Sequence, residues 1–104
     1  MTIYAQSTGP GVSGVAIIRI SGPESSEVII KLTNKEIPKP RVATLRKINN
    51  INTSELIDEG IILWFPGPES YTGEDMAEIH IHGGKAVVLA VQKEISTVKN
   101  CRLA

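Results

Sequence analysis

The sequence predicts an α+β domain, a mixed β-sheet with two to three helices packed on it, and three observations predict it. The runs Val15–Ile20 and Ile61–Phe65 are β-branched or apolar and bounded by glycine or proline, as strands are. Ala77–His82 alternates apolar and polar residues with the two-residue period of a half-buried strand. Val88, Val91, Ile95 and Val98 recur at spacings of three and four, the stripe of an amphipathic helix. At 104 residues and 41% hydrophobic, the chain can build one core and not two, so residues 1–104 read as one domain.

The elements follow in order. Met1–Tyr4 leads straight into ordered-looking sequence without a charged-then-apolar signal region, and two strands are expected before the first helix. Val15–Ile20 is interrupted only by Arg19 and reads as a strand covered on both faces. Ser21-Gly22-Pro23-Glu24 has the Ser-x-x-Glu spacing of a capping box with proline in the first turn, and predicts a short helix through about Leu32 that buries Val28, Ile29 and Leu32. Pro38-Lys39-Pro40 stiffens a connection, because each proline fixes its own φ and biases its predecessor toward extended backbone. A strand is expected near Val42–Ile48, and an exposed loop over Asn49–Ser54, where Asn and Ser side chains compete for local backbone hydrogen bonds. Ile61–Phe65 reads as a central strand stopped by Pro66-Gly67-Pro68. The Ala77–His82 strand places Glu78, His80 and His82 on one face and ends at Gly83-Gly84. The helix comes next, with a final strand after it. Asn100–Ala104 reads as the start of a strand without a polar tail, which predicts a chain that continues further. Helices are expected on one side of the sheet.

Charge and composition exclude several classes. Eleven basic and eleven acidic residues cancel, so no global positive field draws a phosphate backbone, and a nucleic-acid partner would be held by another domain. Cys101 is the only cysteine, which excludes an intramolecular disulfide and fits a reducing, cytoplasmic setting. No stretch approaches the roughly 20 apolar residues of a membrane span, so no membrane role is expected. Gly84-Lys85 is the only Gly-Lys pair, and it has Ile79 and Ala86 where a P-loop needs Gly and Ser or Thr. No catalytic residue is assigned.

Three polar positions invite chemistry. Arg19 shares a strand face with Val15 and Ile17, where an unpaired guanidinium is costly, so it needs a structural ion pair with one of the chain's own acids or a ligand at the strand's end. Glu78, His80 and His82 at alternate positions raise a zinc site, but no second cluster supplies further ligands, and no metal is assigned. Glu78 can accept two N–H groups in a fork, the geometry that recognises a 2-amino-4-oxo pterin; the other reading is a solvated strand residue. The glycine-rich run Gly9-Pro10-Gly11-Val12-Ser13-Gly14 precedes a strand, which suits a turn or binding loop.

The segment Phe65-Pro66-Gly67-Pro68-Glu69-Ser70-Tyr71-Thr72-Gly73-Glu74-Asp75-Met76-Ala77-Glu78-Ile79-His80-Ile81-His82-Gly83-Gly84 strongly resembles the signature of the MnmE (TrmE) family of tRNA-modification GTPases. Gly14–Pro23 looks like that family's first strand and turn, and Pro38-Lys39-Pro40-Arg41 like its next connection, so the resemblance covers nearly the whole chain. It implies a folate-binding N-terminal domain that homodimerises and takes a tetrahydrofolate derivative such as 5-formyltetrahydrofolate. Helical and GTPase domains are absent from this chain, and GTP, magnesium and potassium belong to the missing GTPase domain. With the flavoprotein MnmG (GidA), the family modifies the wobble uridine of certain tRNAs, with the folate supplying a one-carbon unit. The family's folate-contacting arginine and glutamate fall on Arg19 and Glu78, and a lysine contact falls beyond Ala104. This sequence departs from the family at Val12, where a basic residue is usual, and at Ser13, where glycine is. The alternative expectation is a purely structural dimerisation module without folate binding.

Overall fold

The computed structural model describes residues 1–7, 14–82 and 84–104. Among the described residues, eight elements run in the order β1 (Thr2–Gln6), β2 (Val15–Ser21), α1 (Ser25–Thr33), β3 (Thr44–Asn49), β4 (Leu56–Phe65), β5 (Met76–His82), α2 (Lys85–Ser96) and β6 (Cys101–Leu103). The strands form one sheet in the order β3-β4-β5-β2-β1-β6, antiparallel throughout except for the parallel β1–β6 pair. This is the expected α+β fold with a mixed sheet, and two helices lie among the described residues.

Strand alternation sorts side chains to the two faces. Ala16, Ile18 and Ile20 of β2, Ile62 and Trp64 of β4, and Ala77, Ile79 and Ile81 of β5 share one buried cluster with Val28, Ile29 and Leu32 of α1 and Val88, Val91 and Ile95 of α2. Both helices therefore cover the same face. This corrects the expectation that Val15–Ile20 is covered on both faces: Ile17 and Arg19 are half-buried and Val15 is exposed, because neither helix lies over that side. Arg19, Glu78 and His80 belong to this second face.

The capping-box reading of Ser21 and Glu24 is also overturned. Gly22 turns the chain at φ 139°, in a spot where a Cβ would come within 2.5 Å of the Thr2 hydroxyl, and this turn separates Ser21 from the helix. Thr2 does the capping work from a different strand, accepting a hydrogen bond from the Glu24 N–H at 2.8 Å and donating one to the Glu24 carboxylate at 2.7 Å. The helix starts at Ser25 and ends at Thr33, capped by Asn34, whose left-handed backbone donates to the Ile30 carbonyl. Its buried residues are the expected ones.

Other boundaries move for identifiable reasons. The strand expected at Val42–Ile48 begins only at Thr44, because Arg41 takes positive φ (63°) and its N–H bonds the Trp64 carbonyl. β4 begins at Leu56, five residues before the apolar run, since Asp58, Glu59 and Gly60 break the pattern without breaking the pairing to β3. It lies inside the sheet, between β3 and β5. The Asn49–Ser54 turn is less exposed than expected: Ile51 packs on the core, and the buried Glu94 of α2 accepts hydrogen bonds from the Ile51 N–H (2.8 Å) and the Asn50 amide (3.1 Å). A buried carboxylate needs such donors, so this turn is tied to the helix. Val98 is buried just past the end of α2.

Candidate functional site

Two central strands bring the predicted pair together. Arg19 on β2 lies directly across from Glu78 on β5, although 59 residues separate them in sequence. On adjacent antiparallel strands such opposed side chains stand side by side, so the ion pair follows from the register. Arg19 Nη2 and Nε donate to the same carboxylate oxygen, Glu78 Oε2, at 2.8 and 3.2 Å. His80, two residues along the same face, places Nε2 2.9 Å from the other oxygen, Oε1. The Glu78 side chain is only 15% exposed, against 39% for Arg19, so the carboxylate sits below the arginine.

Burial pushes the Glu78 carboxyl group upward in pKa, but hydrogen bonds from His80 and Arg19, together with the arginine's charge, more than offset this and hold it below the ordinary glutamate range. The ionised carboxylate only accepts, so the proton on His80 that faces it sits on Nε2. A group whose pKa is lowered on folding contributes stability in full above its unfolded value, about 4.3, and loses it as the pH falls through the folded value. In acid titrations followed by circular dichroism, the wild type should therefore lose more stability below about pH 4.3 than Glu78→Gln does. Parallel curves would show that Glu78 is not held ionised by its neighbours.

The connection from β4 to β5 closes one end of the site. The Gly67 N–H donates to the Asp75 carboxylate at 2.9 Å, and a Cβ at Gly67 would lie 2.8 Å from the backbone of Gly73 and Glu74, so the loop is folded tightly on itself. Ser70 bonds the Glu74 carbonyl, and Arg41 bonds the Glu69 carbonyl. The Asp75 carbonyl accepts from the Gly22 N–H (2.9 Å) and the Ser25 hydroxyl (3.1 Å), which fastens the loop to the turn after β2. Thr72 shares a 2.8 Å hydrogen bond with Ser21, and the Tyr71 ring lies 5.6 Å from the Arg19 guanidinium carbon, within cation–π range. Met76 is buried beside this loop, outside the main core cluster.

Two cavities flank the pair. One of about 210 Å³ is lined by Ile3, Ala5, Arg19, Ser21 and Thr72 among others. A second of about 310 Å³ is lined by Val15, Leu45, Ile61, His80 and His82 among others. Glu78 lies between the residue that faces the first and the residue that lines the second.

Sequence reasoning named Arg19 and Glu78 and placed His80 and His82 on the same face. His82 is engaged elsewhere: its backbone N–H and its imidazole both contact the Asp58 carboxylate, at 2.9 Å. The zinc arrangement is therefore not formed, and among the described residues no group of three His, Cys, Asp or Glu side chains is placed to hold a metal. Tyr71 and Thr72, on the polar loop, and Ser21, at the end of β2, were missed, since neither loop composition nor strand alternation marks which residues come beside Arg19. The run from Gly9 to Ser13, with Val12, and the first glycine of the Gly83-Gly84 pair lie outside the described residues. No helix among the described residues is long and apolar enough to cross a membrane.

Comparison with known proteins agrees with the signature. Residues 2–104 match the family described as GTP-binding protein TrmE N-terminus. The tRNA modification GTPase MnmE of Pelagibacter ubique is 73% identical over 104 residues, which are 100% of this chain and 24% of that protein. The MnmE of Rhizobium meliloti is 48% identical over 99% of this chain and 23% of its own length, and the mitochondrial tRNA modification GTPase mss1 of Schizosaccharomyces pombe is 49% identical over 99% and 21%. The chain thus spans about a quarter or less of the length of these relatives. With the family matched from Thr2 to Ala104 and the signature residues folded around one ion pair, the chain belongs to the TrmE N-terminal family.

Proposed function

We propose that this chain is the folate-binding, homodimerising N-terminal domain of a tRNA-modification GTPase, with Glu78 holding the pterin edge of a reduced folate and Arg19 positioning Glu78. The observation that carries this reading is the opposed Arg19–Glu78 pair beside a cavity of about 210 Å³ that Arg19, Ser21 and Thr72 line, with the Tyr71 ring 5.6 Å from the Arg19 guanidinium carbon. An ionised, mostly buried carboxylate suits the adjacent amino and ring N–H groups of a 2-amino-4-oxo pterin, a charge-assisted contact. Cavities of about 210 and 310 Å³ lie at or below the roughly 300–1,000 Å³ usual for ligand sites, which fits a head group whose tail lies outside. When bound, 5-formyltetrahydrofolate or a related derivative supplies the one-carbon unit for modification of the tRNA wobble uridine; this chain's residues bind and orient it.

The names of the relatives support GTP hydrolysis and tRNA modification by the whole protein. GTP, magnesium and potassium then belong to a GTPase domain, and the MnmG (GidA) flavoprotein is the partner in a cytoplasmic reaction. Exposed Ile3, Val15 and Leu45 on or beside the helix-free side of the sheet support a homodimer. A second reading, a dimerisation module that has lost folate binding, draws on one observation: Arg19 and His80 already engage both Glu78 oxygens. Calorimetry with 5-formyltetrahydrofolate on wild type, Glu78→Ala and Arg19→Ala separates the two. The folate reading expects at least a tenfold loss of affinity in each variant, from removal of a hydrogen-bonded charge. Equal affinities in all three would remove Arg19 and Glu78 from the site, and a wild type that ignores folate would favour the structural module.

A further inference from the structure

A carboxylate has about four lone-pair sites, and here three are filled: two on Oε2 by Arg19 and one on Oε1 by His80. A ligand that offers two adjacent N–H groups needs two acceptor sites, so one resident donor has to leave. The two tethers are unequal. Arg19 makes two hydrogen bonds and carries a permanent charge, whereas His80 makes one. His80 also has somewhere to go, because it lines the cavity of about 310 Å³ together with Val15, Leu45 and Ile61.

Resting on the folate reading above, we propose that His80 is a placeholder on Glu78: it satisfies Oε1 in the free protein and is displaced into the neighbouring cavity when a ligand's paired N–H groups fork onto the carboxylate. His80 is then a positioning residue whose hydrogen bond competes with the ligand. It keeps a mostly buried acceptor satisfied at the cost of affinity, since each binding event breaks one charge-assisted bond before forming two. A residue that merely supported Glu78 would have the opposite effect on binding when removed.

The test combines calorimetry with imidazole ¹⁵N NMR, using 5-formyltetrahydrofolate as the probe. His80→Leu, which lacks the donor, should bind about tenfold more tightly than wild type, the equivalent of one net hydrogen bond to a charged group. His80→Gln, which restores an N–H donor, should stay nearer wild type. In the wild type at saturation, the His80 Nε2 resonance should move as its hydrogen bond to Glu78 breaks, and this readout decides the matter even if His80→Leu fails to fold. Binding by the wild type with an unmoved His80 resonance, or weaker binding by folded His80→Leu, would overturn the placeholder role and leave the folate reading intact. Absence of binding by wild type and His80→Leu alike would overturn both.

Discussion

Gly60→Ala should cost stability at or beyond the upper end of the ~1–3 kcal/mol typical of overpacked interiors. Gly60 sits in β4 against β5, where a Cβ would come within 2.2 Å of the His80 carbonyl oxygen and 3.3 Å of the Ile81 side chain. The nearer atom is backbone in an interior strand and cannot swing aside. Relief therefore requires β4 and β5 to separate at the residue pair Ile61–His80. The damage would reach the candidate site, because His80 and Glu78 ride on the displaced strand. Urea unfolding should show the loss as a lower midpoint, with folate affinity falling in the surviving folded fraction. A midpoint within experimental error of wild type would mean that the two strands are not packed this closely.

Ile79→Ala should be of similar size, about 2–5 kcal/mol, by a different route. Ile79 is fully buried on β5, paired across the sheet with Ile18 of β2 and Ile62 of β4, both also fully buried, beneath the two helices. Removing its outer carbons leaves a cavity in the middle of the core, where neighbours held in strands collapse poorly. Against a total stability of about 5–15 kcal/mol for a domain, such a loss approaches unfolding. Ile30, 44% exposed on α1, provides the contrast, and its truncation should cost less than about 1 kcal/mol. Equal losses at the two positions would contradict the burial pattern described above.

The sequence made some of this legible and hid the rest for physical reasons. Period-two alternation in Ala77–His82 and helical spacing from Val88 to Ile95 identified β5 and α2, because each element buries one face and the pattern records which one. The demand that Arg19 find a negative partner was also readable from the cost of an unpaired guanidinium among apolar neighbours. That the partner is Glu78 depends on β2 and β5 being neighbours in a particular register, which pairwise strand geometry decides and local pattern does not. The capping of α1 was misread because Thr2 reaches it from another strand, while Ser21, the local candidate, is turned away at Gly22. Ile51 was read as exposed because its neighbours are polar, and only the distant Glu94 explains its burial. Contacts of this kind join residues 22 to 59 positions apart, beyond any local periodicity.

The central claim is that Arg19 and Glu78 form one binding element, with the arginine acting through the carboxylate. The most direct measurement is a double-mutant cycle in 5-formyltetrahydrofolate affinity over Arg19→Ala, Glu78→Ala and the combined variant. The account predicts that the combined variant binds no more weakly than Glu78→Ala alone, because the arginine has nothing left to position. Undiminished affinity in the combined variant, or losses that simply add, would contradict it.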